Sequence, residues 1–179
     1  MDTPKTSAYG PSVPDVDQDH VSLLEGLLRS QKLGSNMPLQ QLTLNDAPWP
    51  GNAYVISYGD TSQVLTYQDQ KVVLADYEGK QSQKWICHSQ DGWLGFNSEP
   101  GETTLFMGWT GSDQKLVCQV NHHLAHEMFC IRKRPEEGFQ FLMRSGKDKN
   151  FLWPLGKKED GQLAVIRGSK DWWGFTRTI

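Results

Sequence analysis

Three aromatic residues recur at a fixed step along this chain. Trp85, Phe129 and Trp173 lie 44 residues apart. The same step recurs two positions later, at Cys87, Ile131 and Phe175. Side chains two residues apart share one face of a β-strand, and self-similarity at a fixed period is the signature of a repeat architecture. The sequence therefore predicts that one short strand, with two inward apolar side chains, is used three times.

Each anchor lies in an apolar run that is preceded by three others, so each copy has four runs. The runs of the first copy are residues 51–56, 64–67, 71–75 and 83–87. Those of the second copy are residues 92–96, 104–107, 115–119 and 127–131, and those of the third are 138–143, 151–153, 162–166 and 172–176. Short runs rich in β-branched and aromatic residues, separated by Gly, Asp, Asn, Ser and Lys, are typical of strands. Since a four-stranded unit cannot bury its own apolar face, we expect the three copies to close around a shared core.

These features resemble the β-trefoil superfamily, and within it the ricin-B-like and fascin-like members, over residues 51–179. The resemblance rests on the threefold repeat, on Gln83-Lys84-Trp85, which matches the Q-x-W of ricin-type lectins, and on residues 92–96, which look like the opening strand of a fascin-type repeat. Q-x-W occurs once, because the later copies hold Glu127-Met128-Phe129 and Asp171-Trp172-Trp173. The resemblance implies an all-β fold, a β-trefoil of three four-stranded repeats, but a departure from ricin-like galactose binding. Residues 47–51, 92–96 and 151–154 are also similar to small uncharacterised filamentous-fungal proteins.

The first 45 residues differ from the rest and form a predicted N-terminal extension to a domain at residues 46–179. Residues 1–19 hold prolines and short polar residues with almost no large aliphatics, which is typical of a disordered tail. A short helix is predicted at about residues 20–32, because apolar residues recur at helical spacing. They are Val21, Leu23, Leu24, Leu27 and Leu28. We expect this stripe to pack against one end of the predicted closed sheet. The alternative is that the helix joins two chains in a homodimer or docks on a partner protein.

Net charge and cysteine content limit the classes of protein to which this chain can belong. The net charge of −3 and the pI of about 5.9 give no general attraction to nucleic acid. The basic groups at residues 132–134 and 157–158 are interpreted as solvated surface. The first residues show neither a secretory leader nor a membrane span, so we expect a cytoplasmic protein that binds neither nucleic acid nor membrane. The chain has three cysteines, and Cys87 and Cys118 fall in predicted strands as reduced core residues.

No motif in the sequence announces a cofactor. A nucleophile elbow, a phosphate-binding loop and a dinucleotide fingerprint are all missing from the sequence. His122 and His126 are four residues apart, but a third fixed ligand is not evident, so no metal site is predicted. If the protein is an enzyme, the candidate acid–base pairs are His88 with Asp91 and His126 with Glu127.

Seven tryptophans exceed what a compact core needs. If Leu65, Leu105 and Leu152 face inward at equivalent positions, the pleat turns Phe106 and Trp153 outward. The same reasoning leaves four tryptophans for ligand binding. They are Trp93, Trp109, Trp153 and Trp172. Exposed aromatic rings beside polar groups are common on ligand and partner surfaces.

We therefore expect a cytosolic binding module that recognises a carbohydrate, a protein surface or a small hydrophobic ligand through exposed tryptophans and loops. One alternative is a small cofactor-independent enzyme, an isomerase, cyclase or hydrolase acting on a fungal metabolite. Another is a fascin-like actin-binding or scaffold protein, which would need to dimerise in order to cross-link filaments.

Overall fold

A computed structural model describes residues 47–98, 104–111, 113–136, 138–144 and 151–178, and these residues form twelve β-strands. The strands are β1 (Ala53–Tyr58), β2 (Gln63–Gln68), β3 (Lys71–Asp76), β4 (Trp85–Gln90), β5 (Trp93–Ser98), β6 (Leu105–Thr110), β7 (Lys115–Val120), β8 (Phe129–Lys133), β9 (Phe139–Arg144), β10 (Leu152–Lys157), β11 (Leu163–Val165) and β12 (Trp173–Thr178). Two 3₁₀ turns, Gln81–Gln83 and Ala125–Glu127, precede β4 and β8. The predicted tail, the helix at residues 20–32 and the boundary at residue 45 lie outside the described residues.

The three repeat anchors begin β4, β8 and β12 and are buried. Trp85 and Trp173 are 0% exposed and Phe129 is 1% exposed. The Trp85 indole donates a hydrogen bond to the Leu65 carbonyl at 2.9 Å, and that of Trp173 donates to the Leu155 carbonyl at 3.2 Å. Burial of an indole is favourable when its N–H finds a partner. The predicted role of the anchors as core residues is therefore confirmed.

Antiparallel pairing closes the sheet on itself. β1 pairs with β4 and β12, β5 pairs with β4 and β8, and β9 pairs with β8 and β12, so these strands form a closed ring. The remaining strands form the hairpins β2–β3, β6–β7 and β10–β11, which are joined through β3–β7 and β7–β11. A closed sheet leaves its ring strands without open edges.

The predicted fold class is correct in being all-β and wrong in its detailed architecture. The described residues are all-β, but the prediction of a β-trefoil of three four-stranded repeats gives way to a closed antiparallel barrel, and the N-terminal helix of that prediction lies outside the described residues. Hydrogen bonding joins strands of different copies, as in β1–β12, β4–β5 and β8–β9, and also joins the first and last strands of each copy, so a single sheet closes around the core. Helical structure in the described part of the chain is limited to the two 3₁₀ turns.

Aromatic rings from different strands meet in the core. Phe96 of β5, Phe141 of β9 and Phe175 of β12 have ring centroids 5.3 to 5.9 Å apart. Aromatic pairs at such distances stabilise by about 0.5–1.5 kcal/mol beyond their buried area. Strands that are far apart in the sequence are thus fixed against one another, and the loops at their ends are held on a rigid frame.

The predicted inward positions of the second strands are only partly correct. Leu65 is 0% exposed, but Leu152 is 38% exposed, and Met107 and Leu155 fill the core in β6 and β10. The β6–β7 register shifts between Phe106 and Met107, and a bulge of this kind changes the local phase of a strand. Consequently Phe106 is buried, whereas the sequence predicted that it faces outward. Trp153, which was also predicted to face outward, packs partly buried against the core.

Candidate functional site

A cleft of about 380 Å³ lies between the β6–β7 hairpin and the segment that leads into β8. Its walls are Phe106, Gly108, Trp109, Thr110, Val117, Gln119, Val120, His122, Leu124, Ala125, His126 and Glu127. Apolar surface therefore alternates with an amide, two imidazoles and a carboxyl group. A concave site with a few convergent polar groups is the usual form of a small-molecule site, at about 300–1,000 Å³.

Glu127 places a carboxyl group at the wall of this cleft. The residue is 5% exposed, and its Oε2 accepts a hydrogen bond from the Leu124 backbone N–H at 3.1 Å. That bond ties the end of the Ala125–Glu127 3₁₀ turn to its beginning. Its Oε1 lies over Gly108, where an added Cβ would be only 2.8 Å away. The glycine in the interior of β6 is thus what admits the carboxyl group, as expected for glycine where another group approaches the backbone closely.

The same position in each copy holds a different polar residue, because Gln83, Glu127 and Asp171 are 44 residues apart. The Gln83 amide donates to the Asp76 carbonyl at 2.8 Å and accepts from the Glu78 N–H at 2.8 Å, so it is held as a structural group. The Asp171 carboxylate accepts hydrogen bonds from the Tyr58 hydroxyl at 3.1 Å and from the Lys157 N–H at 2.8 Å. In the second copy the corresponding carboxyl group borders a cleft.

Burial raises the pKa of Glu127 above its ordinary value. The hydrogen bond from Leu124 and the nearby imidazoles of His122 and His126 act in the opposite direction, but burial is the larger effect. The charged form of a carboxyl group is disfavoured when water is removed from it. Glu127 is therefore more easily protonated than an exposed glutamate.

Trp109 forms the aromatic wall of the cleft. Its ring centroid is 4.2 Å from that of the exposed His126, with a 43° angle between the planes. Its indole N–H is buried and has no hydrogen-bond partner among the described residues. A buried donor without a partner costs about 1–3 kcal/mol. A ligand oxygen that reached this N–H would recover part of that free energy.

The structure does not bring the four tryptophans that were predicted to bind a ligand together in one site. Only Trp109 of the four lines the cleft. Trp93 lies beneath the Arg144 guanidinium, 5.7 Å from its ring centroid, and Trp153 packs on the core. Trp172 covers Gly138, where any side chain would overlap its ring. All four are half-buried rather than exposed, because each ring covers neighbouring apolar atoms; their assignment as ligand-binding residues stays a prediction.

Of the two predicted acid–base pairs, the first lies outside the cleft and the second lines it. His88 shares a hydrogen bond with the Asn97 side-chain oxygen and packs on Phe106 with ring centroids 5.2 Å apart. Asp91 and Gly92 form the two-residue turn between β4 and β5, with φ values of 52° and 81°. Such turns require positive φ at both positions, so Asp91 has a structural role. His126 and Glu127, by contrast, both line the cleft.

Sequence reasoning missed His123. It is 7% exposed, stacks on Phe106 at 5.5 Å and 12°, and fits against Gly95, where a Cβ would be 2.7 Å from the imidazole ring. Burial lowers its pKa, partly offset by a hydrogen bond to the Leu94 backbone. The available signal was Gly95 in the interior of β5, since glycine within a strand often marks a close approach. In the described part of the chain no three metal-ligating side chains form a group that could hold an ion.

Comparison with known proteins gives few matches. No protein-family model matches the chain, and no curated protein matches it. The solved structures that match include a ricin B-like lectin from Macrolepiota procera in complex with lactose, at 16% identity and a TM-score of 0.45, over 68% of this chain and 99% of that chain. At this identity and TM-score nothing about ligand binding transfers from that lectin to this chain.

Within the described residues, no helix has the length and apolar character needed to span a membrane.

Proposed function

We propose that this protein is a carbohydrate-binding module and that the cleft between the β6–β7 hairpin and the Ala125–Glu127 turn is its binding site. The observation that carries the proposal is the combination of the Trp109 ring with the Glu127 carboxyl group in one cleft. A sugar ring presents an apolar C–H face and a rim of hydroxyl groups. Such a ligand needs an aromatic wall and polar groups that both donate and accept hydrogen bonds.

The polar groups of the cleft supply both kinds of hydrogen bond. Gln119 and His122 are exposed at its mouth, where amide and imidazole groups can each donate and accept. Glu127, held by Leu124 and seated over Gly108, accepts hydrogen bonds from a fixed position. Fixing such a group in advance lowers the entropy lost on binding.

A glycan array with the full-length chain tests this proposal. The cleft variants are Gln119→Ala, His122→Ala and Glu127→Gln; the first two change exposed residues, and the third keeps the shape of the side chain. The control is Gln68→Ala, which changes an exposed glutamine outside the cleft. We expect wild type and control to bind the same glycans and the cleft variants to bind about tenfold more weakly or worse. No reproducible binding by wild type, or equal binding by the cleft variants, would reject the proposal.

The same array tests the tryptophans that lie elsewhere. Trp93→Phe, Trp153→Phe and Trp172→Phe remove indole groups that do not line the cleft. We expect no change in the glycans bound. Loss of binding in one of these variants, with Gln119→Ala unaffected, would place the site at that tryptophan.

An enzyme acting on a sugar is the second candidate, because the pKa of Glu127 is raised and His126 lies beside it. Glycosidases, however, use two carboxyl groups about 5–10 Å apart. Glu127 is the only carboxyl group among the residues described as lining the cleft. We therefore favour binding over hydrolysis, and new reducing ends appearing in glycans incubated with the protein would reverse that preference.

We also propose a cytosolic location. Cys87, Cys118 and Cys130 are free thiols, and burial raises the pKa of Cys87 and that of Cys118 to about 12, which makes both unreactive. Free cysteines fit a reducing compartment, and cell fractionation of the tagged full-length chain tests this. Actin binding and a homodimer through residues 21–28 stay predictions, the latter lying outside the described residues.

A further inference from the structure

A second cleft, of about 410 Å³, lies on a different part of the barrel surface and is lined by positive charge. Its walls are Arg132, Lys133, Arg134, Pro135, Gln140, Ser169 and Lys170. The first five come from the β8–β9 hairpin and the last two from the segment before β12. The fold therefore brings the charge of Lys170 to a group from which it is more than thirty residues away in sequence.

The guanidinium groups are held in place by the protein. Arg132 donates to the side-chain oxygen of Gln140, its partner across the β8–β9 ladder. Arg134 donates from Nη1 to the Lys170 carbonyl at 3.0 Å, which ties the hairpin to the segment before β12. A guanidinium has five N–H donors in a fixed fork. One bond to the protein orients the group and leaves other donors for a ligand.

Four cationic side chains line this cleft, and one of them, Lys133, has its ammonium over the Phe139 ring, 5.4 Å from the ring centroid. Like charges held close together raise the electrostatic free energy of the cleft. The neighbouring carboxylate groups do little to neutralise them. Glu136 lies 3.7 Å from Arg134, but its side chain is 73% exposed, where an ion pair contributes little. Asp171 directs its oxygens at Tyr58 and at the Lys157 N–H instead, and Glu137 lies outside the described residues. In a chain of net charge −3, three of these cations are consecutive in sequence and the fold adds Lys170 to them.

We propose that this cleft binds a phosphate or sulfate group carried by a small ligand. A tetrahedral dianion would relieve the mutual repulsion of the four cations and accept charge-assisted hydrogen bonds from the two arginines. Arginine is well suited to such a group, because its fork donates to two oxygens at once. The Ser169 hydroxyl, whose oxygen accepts a bond from the Asp171 N–H at 3.1 Å, is a further donor at the wall.

Titration of the ¹⁵N-labelled full-length protein with inorganic phosphate, and separately with sodium sulfate, tests the proposal. Each is compared with sodium chloride at equal ionic strength, because salt screens unspecific attraction. We expect saturable shifts confined to the amides near Arg132, Arg134, Ser169 and Lys170. Equal shifts with chloride, or shifts spread over all exposed lysines, would overturn the proposal. Saturation by one anion alone would identify which group the cleft accepts.

Variants make the assignment specific. Arg134→Gln should weaken binding of the anion about tenfold or more, since it removes a charged donor. Lys170→Gln changes an exposed side chain and keeps the backbone carbonyl that holds Arg134, so it should weaken binding without affecting the fold. Lys71→Gln removes an exposed charge outside the cleft and should leave binding unchanged. Equal affinity in Lys170→Gln and Lys71→Gln, each with wild-type melting behaviour, would refute the assignment. The glycan array result bears on neither outcome, because the two clefts share no residue.

Discussion

Replacement of Trp85 by phenylalanine tests how the repeat anchors hold the barrel. Trp85 is 0% exposed, and its indole N–H donates to the Leu65 carbonyl at 2.9 Å. Phenylalanine keeps the six-membered ring but removes the donor and the pyrrole part of the indole. The position 44 residues later already holds phenylalanine, so the barrel accepts that ring at an anchor position.

Two contributions set the magnitude. Loss of the hydrogen bond to a buried carbonyl costs about 1–1.5 kcal/mol. Loss of two buried carbons, at about 0.8 kcal/mol each, adds about 1.5 kcal/mol. We therefore expect the free energy of unfolding to fall by about 3 kcal/mol. At about 2–4 °C for each kcal/mol in a domain of this size, the Tm should fall by roughly 6–12 °C.

Urea denaturation of the full-length chain, followed by tryptophan fluorescence and circular dichroism, measures this change. Trp173→Phe should give a similar loss, since its indole donates to the Leu155 carbonyl at 3.2 Å. Trp49→Phe is the control, because Trp49 is 73% exposed, and it should change stability by less than about 0.5 kcal/mol. If Trp85→Phe and Trp173→Phe both cost less than about 1 kcal/mol, the reasoning about the anchors is wrong.

Three further predictions concern the cleft and its neighbour His123. Burial raises the pKa of Glu127, so its contribution to stability is present below its unfolded value of about 4.3 and is lost as pH rises through the folded value. Glu127→Gln should therefore become more stable relative to wild type as urea denaturation moves from about pH 4 to about pH 8, and a pH-independent difference would contradict this. Burial lowers the pKa of His123, so wild type should lose stability relative to His123→Asn as pH falls from about 6.5 to about 5, and parallel pH profiles would contradict this. Gly108→Ala should cost about 1–3 kcal/mol, because its Cβ would lie 2.8 Å from Glu127 Oε1, and the cost should shrink when Glu127→Ala is added; an equal cost in both backgrounds would contradict the contact.

The repeat carried most of what could be predicted about the barrel. Trp85, Phe129 and Trp173 were identified from spacing alone, because a buried anchor at the start of a strand demands an aromatic ring wherever the same packing recurs. That spacing does not determine how strands of different copies pair. A repeated run predicts a strand, but its partner is set by side chains that meet only in the folded chain.

The phase of individual strands was harder to predict. Leu105 and Leu152 look equivalent to Leu65, but the bulge after Phe106 and the path of β10 bring Met107 and Leu155 into the core instead. A bulge leaves little trace in a single sequence. The prediction that Phe106 faces outward is wrong for this reason. Trp153 is half-buried because its ring packs against the core.

The candidate cleft contains three residues that the sequence indicates, and their role in binding stays a prediction. His126, Glu127 and Trp109 were each singled out, but as members of two separate groups, because nothing in the sequence places the β6–β7 hairpin against the Ala125–Glu127 turn. Gly95 and Gly108 are the sequence features that indicate these close approaches. Each admits a polar side chain from the connection between β7 and β8, which no count of charged or aromatic residues would reveal.

The most direct measurement is a two-dimensional ¹⁵N–¹H titration of the full-length protein with the glycan it binds best on the array. The Trp109 indole N–H is buried beside the cleft and has no hydrogen-bond partner in the part of the chain that the structure describes. Its resonance should therefore shift most among the tryptophan side chains, together with the backbone amides of Gly108, Gln119 and Glu127. A glycan that binds tightly while these signals stay unchanged would show that the carbohydrate site lies elsewhere on the barrel.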